Sequence, residues 1–148
     1  MNLPQDNNEA IIFDSHLDPD IQVIIAYPNF ANYAMLKPQF LKSGSAFLLH
    51  DLRIIMVDGK VVDEPWFTFE HLLVIQAHEI GHFLAGHAMS SEFLHDIEKE
   101  ADWLGCMLLL NRGFKDAASL HEQEYYSRYN TTPYDDDKLY RERLGQLI

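Results

Sequence analysis

The pentapeptide His78-Glu79-Ile80-Gly81-His82 constrains this chain more than any other stretch. On a helix each residue advances by about 100°, so the two histidines stand roughly 40° apart around the axis and can reach one point in space. The neighbouring apolar residues Phe69, Leu72, Leu73, Ile80, Phe83 and Leu84 make this an internal helix. A His–Glu–His group buried there with no cation between its members is costly. A zinc ion removes that cost: His78 and His82 are the expected ligands, and Glu79 is close enough to hold a water on the metal as a catalytic base.

Zinc that does chemistry takes a third protein ligand and keeps a fourth position for water. Glu98 is the expected third ligand, with Asp96, Glu100 and Asp102 as alternatives. Asp102 stands four residues beyond Glu98 on the same helical face, where it can accept from the free ring N–H of a zinc histidine and fix its tautomer. Glu100 is about 200° around the helix from Glu98 and points elsewhere. Ala101 and Gly105 flank that face, and Gly81 interrupts the histidine helix at a cost of about 1 kcal/mol against Ala. Small residues on both sides predict two helices in close contact.

The other histidines fit less well. His87 is about 140° around the helix from His82, which argues against ligation, and His71 is a possible neighbour of the site more readily explained as a packed or exposed side chain. His16, His50, His95 and His121 show no interpretable spacing. A donor for a tetrahedral oxyanion is also needed; Tyr125, Tyr126, Tyr129 and His121 could fold back to supply it, and the sequence selects none of them.

HExxH followed by a downstream glutamate resembles the gluzincins, zinc metallopeptidases with the third ligand on the next helix. Within them Glu98-x-x-Ala101-Asp102 is similar to the pattern of the ImmA/IrrE-type intracellular peptidases and of the HtpX/Ste24-type membrane peptidases, over roughly residues 45 to 110. The metzincin pattern does not fit, because Ala85 and Ala88 stand where its glycine and third histidine belong. The resemblance implies an α+β minimal zincin fold, a small mixed or antiparallel sheet packed on a helical bundle that carries the zinc. It also implies an endopeptidase whose sheet edge aligns the substrate as an added strand, and a protein or peptide substrate such as a transcriptional repressor. Two other functions are compatible with a zinc site: a regulatory module that sequesters a partner without proteolysis, and a hydrolase of a small amide or ester. Glu79 argues against a purely structural site, which has no use for a base.

Charge and length narrow the classes further. Eleven basic against 23 acidic residues leave a net charge of −12, the wrong sign for a phosphate backbone or an anionic membrane surface. One cysteine, Cys106 in an apolar helical run, excludes an internal disulfide and reads as a small buried hydrophobe. The N-terminal residues lack a signal-peptide pattern, and no apolar run is long enough for a membrane span. The expectation is a soluble cytoplasmic protein, which disfavours the HtpX/Ste24 alternative. At 148 residues the chain fits one domain, residues 11–148, after a polar tail at 1–10.

β-branched Ile21–Tyr27 predicts a buried strand, and Ser45–His50 and Arg53–Val57 predict two more. Asp58-Gly59 between Ile54–Val57 and Lys60–Val62 is a two-residue hairpin signal. Phe30–Lys37 predicts a short helix ended by Pro38, and Pro65 or Thr68 opens the histidine helix, which is expected to end near Gly86–Met89. Ser90 or Ser91 is the expected cap of the Glu98 helix, with Phe93, Leu94, Ile97, Leu104 and Leu108 as its apolar stripe and Gly113 as its stop. Asp116 to about Tyr129 forms another helix, residues 130–133 a break, and a last helix after Asp135 carries Leu139, Tyr140, Leu144 and Leu147 inward.

Overall fold

Alternation of side chains along β-branched strands gives a sheet with two apolar faces, and helices cover both. The computed structural model describes residues 9–86 and 95–147. Its strands are β1 (Ala10–Asp14), β2 (Gln22–Ala26), β3 (Ala46–Leu49) and β4 (Ile54–Asp58), in the spatial order β1-β2-β4-β3. β2 and β4 run parallel in the centre, while β1 and β3 pair antiparallel outside them. The fold is α+β with a small mixed sheet.

Val23, Ile25, Leu48, Ile55 and Val57 form one apolar face, packed with Leu72, Leu73, Ala77, Ile80, Leu109, Ala117 and Ala118. Those partners come from α3 (Phe69–Leu84), α4 (His95–Asn111) and α5 (Lys115–Tyr129). The opposite face presents Ala26, Phe47 and Met56 to Tyr33 and Phe40 of α1 (Tyr33–Ser43). A short α2 (Gly59–Val62) follows β4, and α6 (Pro133–Leu147) closes over α4 and α5 through Trp103, Tyr125 and Tyr140.

Several local expectations change. α1 does not stop at Pro38 but continues to Ser43, with Gly44 in the left-handed region at φ 80°. Tertiary anchors lie on both sides of the proline: the Tyr33 hydroxyl donates to Asp58 at 2.8 Å, and the Phe40 ring packs 5.2 Å from Phe47. The expected hairpin at Asp58-Gly59 is absent, because Asp58 caps α2 by accepting from the Lys60 N–H. Gly59 is not among the positive-φ residues; a Cβ there would lie 2.4 Å from the Tyr27 ring, so close approach and not turn geometry accounts for it. Ala10, assigned to the tail, opens β1 and pairs with Ala26.

Thr68 caps α3, and the His71 side chain closes a capping box with it, its Nδ1 accepting from the Thr68 N–H at 3.1 Å. α3 ends at Leu84, short of the expected end. Phe69 and Leu84, expected inside, are exposed, and in α4 Trp103, Cys106 and Leu109 are more deeply buried than Leu104 or Leu108. Leu139 of α6 is exposed while Tyr140 is buried. His87, Ser90, Ser91, Phe93 and Leu94 lie outside the described residues, as do the side chains of Leu144 and Leu147. Among the described residues no helix is long and apolar enough to cross a membrane.

The expected close contact of α3 with α4 is present. A Cβ on Gly81 would stand 2.4 Å from the Ala101 carbonyl oxygen, and one on Gly105 would stand 2.9 Å from the Ala77 backbone. Side chains cannot intervene at such an approach, so short carboxylate stems on α4 reach the histidines of α3.

Candidate metal centre

α3 presents His78 and His82 one turn apart, with their Nε2 atoms 3.1 Å from each other. From α4, Glu98 Oε2 lies 2.9 Å from His78 Nε2 and 3.3 Å from His82 Nε2. Ligands held at 2.0–2.1 Å around a tetrahedral zinc are about 3.3 Å apart, so this triangle has the dimensions of one face of such a site. Glu79 Oε2 is 3.7 Å from His78 Nε2, and His78, Glu79 and His82 together form a group able to hold a metal ion, their ligand atoms within 4.8 Å of one another. Both carboxylates therefore border the same point. Glu98 closes the tighter triangle and touches both imidazoles, whereas Glu79 stands off towards one of them.

Asp102 stands behind the triangle. Its Oδ1 accepts from His78 Nδ1 at 2.6 Å, which fixes the ring so that Nε2 faces Glu98 and His82. Its Oδ2 accepts from the Tyr129 hydroxyl at 2.5 Å and from Arg128 Nη1 at 3.2 Å. His121 Nε2 is 3.8 Å from Oδ1. Of the alternatives to Glu98, Asp96 is exposed and outside the group, and Glu100 is buried away from it, where its charge raises the Tyr140 phenol pKa alongside the larger effect of burial.

These charges favour a cation at the centre of the group. Burial alone would lower the His78 pKa, yet its hydrogen bonds to Asp102 and Glu98, with the charges of Asp102 and Glu79, hold it well above the ordinary value. Glu98 is half-buried, which opposes ionisation, but the hydrogen bonds and charge of the two histidines hold it below the usual carboxylate range. Asp102 is buried more deeply, and contact with His78 nevertheless holds it at about 2. Glu79 behaves differently: burial outweighs the histidines and pushes its carboxyl up. The two carboxylates favour positive charge on the inward-facing imidazoles, and a divalent ion taking the place of that charge fits the N, N, O donor set.

The group opens into a cavity of about 280 Å³ lined on one side by Ser43, Gly44 and Ala46 and on another by Glu124, Arg128 and Tyr129. β3 is an edge strand of the sheet as described, and Ala46 at its start borders the cavity. Two of the four residues weighed as oxyanion donors, Tyr129 and His121, line it, while Tyr125 donates to Asp136 away from it and Tyr126 is exposed. Glu124 and Arg128 escaped sequence reasoning. The available signal was their three-to-four-residue spacing from His121 and Tyr125, which places 121, 124, 125 and 128 on one helical face. His50 and His16 lie apart from the centre, His50 against Phe83 and His16 beside Gln76. Comparison with family models, curated proteins and solved structures finds no match.

Proposed function

We propose that this chain is a zinc-dependent endopeptidase with a minimal zincin fold, similar to the ImmA/IrrE type, holding its metal through His78, His82 and Glu98. The observation that carries the reading is the 2.9, 3.1 and 3.3 Å triangle of ligand atoms with the Glu79 carboxylate beside it. Zinc bound there supplies Lewis acidity, making water a nucleophile near neutral pH and polarising a scissile carbonyl.

The residues of the chain do the rest. Glu79 accepts the proton of the attacking water and returns it to the leaving amine, a role suited to a buried carboxyl whose pKa burial raises above the ordinary value. Asp102 holds His78 in the tautomer that leaves Nε2 free to ligate. The β3 edge beside the cavity offers main-chain partners to an extended substrate, which favours a protein over a small amide or ester. The setting that follows is cytoplasmic, and the substrate a protein such as a transcriptional repressor.

The test compares wild type with Glu79→Gln at equal zinc content on an unstructured reporter protein such as labelled casein and on a peptide library read by mass spectrometry. Cleavage by wild type should fall by about 10²–10⁴-fold in the variant, the usual worth of a general base. Equal cleavage by both proteins removes the mechanism. Absence of cleavage by zinc-loaded wild type favours sequestration of a partner.

A further inference from the structure

The Asp102 carboxylate has two oxygens with separate duties, and only one of them serves His78. We infer that Tyr129 and Arg128 of α5 are positioning residues that set the metal affinity of the centre, acting through Asp102 without touching the metal. This rests on the reading of His78, His82 and Glu98 as a zinc site.

An aspartate anchored at one oxygen can still rotate about its Cβ–Cγ bond, and the histidine it holds turns with it. Here the second oxygen is pinned by the Tyr129 hydroxyl at 2.5 Å and Arg128 Nη1 at 3.2 Å, while Oδ1 keeps His78 Nδ1 at 2.6 Å. The side chain of Asp102 is 1% exposed, so water has little access to replace a lost donor. Removing the tyrosine hydroxyl leaves a buried oxygen short of a partner, and the carboxylate then shifts towards its remaining donors at the expense of the His78 contact. All three parts come from different helices: His78 from α3, Asp102 from α4, and Tyr129 and Arg128 from the last turn of α5. The docking of α5 is thereby tied to the aim of a ligand on α3.

Partners of metal-bound histidines are worth about 10–100-fold in metal affinity, and a residue acting one step behind them belongs near the lower end. Zinc affinity is measured by competition with a chromophoric chelator for wild type, Tyr129→Phe, Asp102→Asn and the double variant. Tyr129→Phe should weaken zinc binding by about tenfold in the native background and by nothing further once Asp102 is Asn. Unchanged affinity in Tyr129→Phe overturns the inference, and so does an equal loss in both backgrounds, which would place the tyrosine's effect outside Asp102. If wild type itself binds no zinc, the zinc reading and this inference fall together; zinc binding by wild type with no effect of Tyr129→Phe sinks the inference alone. Should Tyr129→Phe not fold, Arg128→Gln, at a side chain 55% exposed, carries the same cycle with the same expected pattern.

Discussion

His121 shows how strongly single residues respond to their surroundings in this protein. The imidazole is 1% exposed, and neither ring nitrogen makes a hydrogen bond among the described residues. Burial lowers its pKa to about 4, and the upward pull of Asp102 only partly offsets that. The unfolded chain, with an ordinary pKa near 6.5, takes up this proton before the native state does. The contribution is therefore complete above pH 6.5 and is lost as pH falls towards 4. Between pH 7 and pH 5 zinc-free wild type should lose about 2 kcal/mol more stability than His121→Phe, measured by urea unfolding at both pH values. An equal loss in the two proteins would show that this imidazole is not held neutral. Nothing around residue 121 in the sequence announces such a role, because its surroundings come from α4 and from the far end of its own helix. That Glu98 and Asp102 share a face, by contrast, was legible from their four-residue spacing, since one helical face carries both whatever the helix packs against.

Two helices account for most of the centre, and glycine governs their approach. Alanine at position 81 would add about 1 kcal/mol of helix propensity, yet its Cβ would meet the Ala101 carbonyl at 2.4 Å. Overpacking typically costs about 1–3 kcal/mol, and a backbone carbonyl yields less than a side chain. Gly81→Ala should thus be destabilising in urea unfolding and should weaken zinc binding by moving Glu98 away from the histidines. A more stable variant with unchanged zinc affinity would refute the close-packing argument. Elements formed by local periodicity were readable in advance, among them β2, β3, β4, α3 and α5. Those decided by distant partners were not: Asp58-Gly59 became a helix cap because Tyr33 and Tyr27 lie against it, and Pro38 stayed inside α1 because Phe40 is anchored beyond it.

On the scale of the whole molecule the centre joins α3 to α4, with α5 behind Asp102, so a metal bound there ties together two helices that the apolar core also holds. At a hundredfold excess of zinc over its Kd, linkage contributes about 2.7 kcal/mol. For a chain of this size that should raise the Tm by about 5–10 °C, an effect reversed by chelation and absent in His82→Ala. The same rise in His82→Ala would place the zinc elsewhere. The sequence by itself determined the α+β composition of the fold, the pairing of His78 with His82 and the face shared by Glu98 and Asp102, because helical and strand periodicities are properties of neighbouring residues. Only the tertiary structure decided that the sheet is mixed, that Glu98 closes the triangle across a glycine contact, and that Tyr129 and Arg128 stand behind Asp102. Those relations join residues many positions apart, and the packing of apolar faces that sets them leaves no periodic trace along the chain.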